Sequence, residues 1–98
     1  MLAHLPIVIF ASLHPVADTV PKFDIAKECR FEGGTQQMQE RCAADETQAR
    51  GTLQNEWAQF NAGQKTQCNG ETSADNTPSY VELLTCLEME RDVKNTPK

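Results

Sequence analysis

The side chains in this sequence with chemistry of their own are four cysteines, two histidines and fourteen carboxylates. Cys29, Cys42, Cys68 and Cys86 are separated by 12, 25 and 17 residues. No pair has the C-x-x-C spacing of a zinc ribbon or a thioredoxin-like redox motif, so neither a metal nor another cofactor is expected. A reactive thiolate needs an electropositive, accessible setting. Only Arg30 and Arg41 adjoin cysteines, and structural disulfides are the better reading of an even count.

His4 and His14 both fall within the first seventeen residues. The remainder of the chain therefore has no histidine for a Ser-His-Asp or Cys-His arrangement or for a His-rich zinc site. Gly33-Gly34 precedes a run of helix formers but lacks the flanking pattern and the lysine of a phosphate loop. Among the carboxylates, Asp45 and Glu46 are notable because they interrupt an apolar stripe. Adjacent helix residues diverge by about 100°, so the two do not share a face as an acid–base dyad would. They read as a solvated gap in the stripe. No catalytic residue is assigned, and the chain is not expected to be an enzyme.

The net charge is −5 and is spread along the chain. Nucleic acids and anionic membrane surfaces are recognised by clustered Lys and Arg, so neither is an expected partner. A basic protein is permitted, since opposite net charge speeds encounter. Leu5–Leu13 is a nine-residue apolar run, too short for stable membrane insertion, which takes about 20 residues. It has the length of a signal-peptide core, and Pro15-Val16-Ala17 ends in the small residue that cleavage requires. All nine Lys and Arg and all fourteen Asp and Glu follow Ala17. Residues 1–17 are expected to be a signal peptide and the protein to be periplasmic or secreted, the alternative being a buried N-terminal strand or helix.

The elements that must hold these residues are helical. Asp24 can cap a helix over Ile25–Phe31, and Gly33-Gly34 breaks it. Thr35 caps a second, longer helix. Its apolar residues Met38, Cys42, Ala49, Leu53, Trp57 and Phe60 recur at helical spacing. Gly51 weakens this helix by about 1 kcal/mol relative to alanine, yet it is expected to reach about Ala62, with Gly63 just beyond its C-terminus. Gln64–Pro78 reads as a loop rich in turn formers. Ser79 and Glu82 form a capping box that starts a third helix, with Tyr80, Leu83, Leu84 and Leu87 on one face and Arg91 near the far end. That helix is expected to run to about Val93, leaving 94–98 as a disordered tail. Trp57, Phe60 and Tyr80 are expected in the core rather than in an exposed recognition patch. The fold class is all-α: residues 18–93 form a small disulfide-stapled helical hairpin or three-helix domain with one long central helix.

Helix geometry restricts the cysteine pairing. From Cys42 to Ala62 a helix rises about 30 Å, and the six steps to Cys68 recover at most roughly 20 Å. A disulfide needs Cα atoms within about 7 Å, which excludes Cys42–Cys68 if the helix is continuous. Cys29–Cys42 with Cys68–Cys86 closes short loops across neighbouring helices and is favoured. Cys29–Cys68 with Cys42–Cys86 stays open if the long helix breaks, for instance at Gly51.

The segment from Cys29 through Cys42-Ala43, Ala49, Leu53 and Trp57 to Phe60, with Thr35-Gln36-Gln37-Met38 before the second cysteine, resembles the LprI-type lysozyme-inhibitor family of small exported bacterial helical domains. The likeness spans about a third of the chain. It departs at Arg50, where the family tends to carry an acid, and at Leu53-Gln54-Asn55, where the family favours Leu-Asn; the half containing Cys68 and Cys86 has no counterpart. The resemblance implies a periplasmic or envelope protein that binds and blocks a muramidase, and an acidic surface suits a basic lysozyme. It assigns no residue as the inhibitory element. A non-inhibitory envelope structural or interaction protein is the alternative, and a cytosolic four-cysteine metal protein is a third.

Overall fold

A computed structural model describes residues 19–95. The expected signal segment, 1–17, and residues 96–98 of the expected tail lie outside them. The described chain is all-α: α1 Ile25–Glu32, α2 Gln36–Glu56, a 3-10 turn Trp57–Gln59, α3 Ala62–Thr72 and α4 Tyr80–Asn95. The last helix thus continues two residues past Val93.

Both N-terminal caps form where the side chains predict them. Asp24 accepts from the Lys27 amide and Thr35 from the Met38 amide, each satisfying one of the first-turn N–H groups that a helix cannot pair internally. Between them Gly33 and Gly34 have positive φ of 76° and 93°, backbone that side chains other than glycine's rarely adopt. This tight turn lays α1 antiparallel to α2, and Cys29–Cys42 links them with Cα atoms 5.7 Å apart.

Past Glu56 the chain departs from the expected continuous helix. It tightens into the 3-10 turn, and Phe60 takes an extended conformation with φ −99° and ψ 144°. Asn61 then caps α3 by accepting from the Gln64 amide. Gly63 therefore lies in the first turn of a new helix rather than beyond the end of the old one, and most of the expected Gln64–Pro78 loop is helical. Helix α3 has weak intrinsic propensity, and tertiary contacts override it. Cys68 and Thr72, one turn apart, are both buried, and Cys68–Cys86 clamps α3 to α4 with Cα atoms 5.8 Å apart.

The core is one cluster of Ala49, Leu53, Phe60, Cys68, Tyr80, Leu83 and Leu87, with Val20, Phe23, Ile25, Trp57, Leu84 and Cys86 packed around it. Phe60 and Tyr80 are buried and Trp57 is half-buried. Helices α2 and α4 meet through this cluster in parallel. Glu46 contacts Ser79 and Tyr80 at one end, and Glu56 meets Arg91 at 3.1 Å at the other. The return run of α3 makes that parallel arrangement possible. Met38, placed in the apolar stripe by spacing, is 58% exposed because the stripe's first turn extends past the end of α4.

Candidate functional site

The gap that Asp45 and Glu46 make in the apolar stripe is not solvated as expected; it divides. Asp45 is exposed, whereas Glu46 is 3% exposed, consistent with the 100° between neighbouring positions. Glu46 occupies the core register between Cys42 and Ala49, where α2 faces the start of α4. Its carboxylate accepts from the Ser79 hydroxyl at 2.5 Å and the Tyr80 amide at 2.6 Å, with the Val81 amide at 3.5 Å. A helix N-terminus carries free amides and positive dipole charge, and Glu46 supplies both an acceptor and a negative charge from another helix.

The Ser79–Glu82 capping box is correspondingly altered. Its forward half forms, with the Glu82 amide donating to Ser79 Oγ at 3.2 Å. In the return half a third residue intervenes. The Ser79 amide donates to Thr72 Oγ1 at 2.9 Å, and the Thr72 hydroxyl donates to Glu82 Oε1 at 2.8 Å. Thr72, at the end of α3, relays the box and pins α3 to the same N-terminus.

A second carboxyl joins this junction from α1. Glu28 is 5% exposed. Burial, a hydrogen bond with Glu32 and the charges of Glu32, Glu46 and Glu82 push its carboxyl up from the ordinary 4.5 to about 8. Glu28 therefore holds its proton to higher pH than an ordinary carboxyl. Its type and position in the first turn of a short helix carried no signal of this, because an acid there reads as a solvated partner of the helix dipole. The signal for Glu46 was present: a carboxylate at a core register seven residues before Leu53 requires buried donors.

Phe60 and Tyr80 are buried and Phe23 and Trp57 pack beside them, whereas Phe31 on α1 is exposed. The Tyr80 hydroxyl donates to the Pro21 carbonyl and accepts from the Phe23 amide, both at 2.8 Å. Phe23 packs on its ring at a centroid distance of 4.6 Å. Three cations lie over rings: Arg50 on Tyr80, Lys65 on Trp57 and Arg91 on Phe60, at 5.9, 4.8 and 5.3 Å. The four cysteines are all in disulfides, and the described residues contain no group of three or more His, Cys, Asp or Glu able to hold a metal ion.

Among the described residues a groove of about 300 Å³ lies between the parallel α2 and α4. Ala49, buried, and Leu84, half-buried, form its floor; Gln48, Thr52, Val81 and Thr85 form its sides, with Asp45 at one end. At the other end, one turn on from Thr52 and Leu84, Glu56 and Glu88 share a hydrogen bond. Burial and that neighbouring acid raise the Glu88 carboxyl above its ordinary value, and Arg91 bridges to both acids at 3.1 and 4.0 Å. This volume is at the lower end of small-molecule sites and fits a few side chains of a partner.

No family model matches the chain, and no curated protein or solved structure matches it either.

Proposed function

We propose that this chain is an exported, disulfide-clamped protein-binding domain that acts as an inhibitor of a basic lysozyme. The observation that carries this reading is the open α2–α4 groove, with Ala49 and Leu84 on its floor and Asp45 at one end. The buried carboxylates Glu28 and Glu46 and the buried aromatics serve the fold, whereas Asp45, Val81 and Thr85 face outward without a structural task. An apolar centre beside an exposed acid, on a chain of net charge −5, is suited to a basic protein surface, where complementary charge steers encounter and excludes like-charged partners. The choice of lysozyme rests on the resemblance of Cys29–Phe60 to the LprI-type family. Two disulfides accord with an oxidising compartment.

The test is lysis of a cell-wall suspension by a basic lysozyme in the presence of the oxidised protein, with binding followed in parallel by calorimetry. The expected result is lysis suppressed at near-equimolar ratio. Undiminished lysis at large molar excess rejects inhibition. Tight binding without suppression assigns the domain to the non-inhibitory interaction class.

A further inference from the structure

The two disulfides hold different parts of the fold. Cys68 belongs to the core cluster and Cys86 packs against it. Cys29 is buried too, but outside that cluster, in the seam where α1 is linked to α2. Of the eight residues of α1, only Ile25 at its start reaches the core, and a helix so short is marginal without tertiary support. The chain just before it is held separately: the Tyr80 hydroxyl bonds Pro21 and Phe23, and the Phe23 ring packs on Tyr80. Residues 26–34 are thus a strap fixed at one end through Tyr80 and at the other by α2, and Cys29–Cys42 fastens its middle. Its other buried side chain, Glu28, lies within reach of the charges of Glu46 and Glu82 at the α4 N-terminus.

Each disulfide has one sulfur open to attack. Cys42 and Cys86 are half-buried, whereas Cys29 and Cys68 are buried. The surroundings differ. Glu71 Oε1 lies 3.7 Å from Cys86 Sγ, and Gln67 Nε2 donates to the other carboxylate oxygen at 3.3 Å. The attacking species in thiol–disulfide exchange is a thiolate, so a carboxylate held at that sulfur repels it. At the other disulfide, Arg30 and Arg41 adjoin the cysteines. The buried acids within a turn are engaged elsewhere, Glu28 with Glu32 and Glu46 with Ser79 and Tyr80.

We propose that small anionic thiols open the two disulfides in order, Cys29–Cys42 first, so that α1 is a reducible strap, and that Glu71 guards Cys68–Cys86. A thiolate attacks Cys42 Sγ to form a mixed disulfide, and Cys29 leaves as a thiolate that takes up a proton. A second thiolate attacks the reductant's own sulfur in that mixed disulfide and frees Cys42. Two reductant thiols become one disulfide and one protein disulfide becomes two thiols, a transfer of two electrons and two protons. Once unfastened, α1 lifts locally, because segments with few core contacts open at lower cost than the whole domain. Helices α3 and α4 stay clamped. No groove-lining residue belongs to α1, so this device is independent of the binding reading.

The experiment incubates the full oxidised protein without oxygen with glutathione, which is anionic, or with cysteamine, whose ammonium offsets its thiolate. Samples are quenched with iodoacetamide and the alkylated cysteines are mapped by peptide mass. Expected is Cys29–Cys42 opening about tenfold or more faster than Cys68–Cys86, through an intermediate alkylated at Cys29 and Cys42 alone. In that intermediate, hydrogen exchange should accelerate at 26–34 and remain slow at Leu83 and Leu87. Glu71→Gln should speed opening of Cys68–Cys86 by glutathione about fivefold, the effect of one unit charge about 4 Å away in water, and by cysteamine less than about twofold. In the parent, cysteamine should outpace glutathione more at Cys68–Cys86 than at Cys29–Cys42, which tests the guard without a variant. Cys68–Cys86 opening first or in step with Cys29–Cys42, or an intermediate that loses protection throughout, overturns the strap. A rate gain in Glu71→Gln that is absent or equal for both thiols, or a parent indifferent to thiol charge, overturns the guard.

Discussion

Glu46 ties the two longest helices together, and its removal is the sharpest test of the architecture. In Glu46→Ala the Ser79 hydroxyl and the Tyr80 amide, now donating at 2.5 and 2.6 Å, lose a charged acceptor inside the protein. Each buried donor left unsatisfied costs about 1–3 kcal/mol, and the loss of negative charge at the α4 N-terminus adds up to about 2 kcal/mol. These contributions overlap, because water can reach the partly exposed Val81 amide, so a total of about 3–5 kcal/mol is expected. For a domain of this size each kcal/mol lowers Tm by about 4–8 °C. The melting temperature, followed by circular dichroism with the disulfides intact, should fall by on the order of 12–40 °C. Glu46→Gln keeps one acceptor oxygen but turns its amide nitrogen toward a donor, and should fall between the two. Asp45→Ala, one residue away and exposed, should stay within about 0.5 kcal/mol of the parent. If Glu46→Ala is no less stable than Asp45→Ala, the buried carboxylate is not holding α4 and the reasoning fails.

Further outcomes follow from the same contacts. Glu28 has a folded-state pKa of about 8, above the ordinary 4.5. The folded state therefore binds more protons than the unfolded state between those values, and stability falls as pH rises through that window. Urea titrations from pH 5 to 9 should show this decline, and Glu28→Gln should flatten it. Tyr80→Phe removes the hydroxyl that joins Pro21 and Phe23, so amide exchange at Phe23 should accelerate while exchange at Leu83 and Leu87 changes little. Gly33→Ala places a side chain at φ 76° and ψ −155°, a region essentially restricted to glycine, and should cost about 1–3 kcal/mol in denaturant unfolding. Gly51→Ala should instead stabilise by up to about 1 kcal/mol, since a Cβ there has open space inside a helix. Replacing Cys68 and Cys86 by serine should lower Tm more than the same change at Cys29 and Cys42. It opens the longer loop, a separation of 18 residues against 13, while both changes place a hydroxyl at a buried position, Cys68 or Cys29.

What the residues determine locally was readable along the chain. Asp24 and Thr35 mark helix starts, the paired glycines mark the turn between α1 and α2, and Tyr80, Leu83 and Leu87 share one buried face. Each follows from backbone geometry and side-chain reach within about a turn, which is information carried by adjacent residues. The break after Glu56 is also written locally, in Asn61 and Gln64 three residues on, but Trp57 and Phe60 continue the helical spacing of Ala49 and Leu53 across it. The helical register marks Glu46 rather than Asp45 for the core, but only the tertiary structure decided what it binds, because the donors at the α4 N-terminus lie 33 and 34 positions away. The same holds for Thr72, which enters a capping box that spacing assigned to two residues, and for the burial of Glu28, which with Glu32 and then Glu46 and Glu82 raises its carboxyl. The groove belongs to neither helix alone: it exists because α3 returns the chain so that α2 and α4 lie parallel, and long-range packing of this kind leaves no local pattern to read.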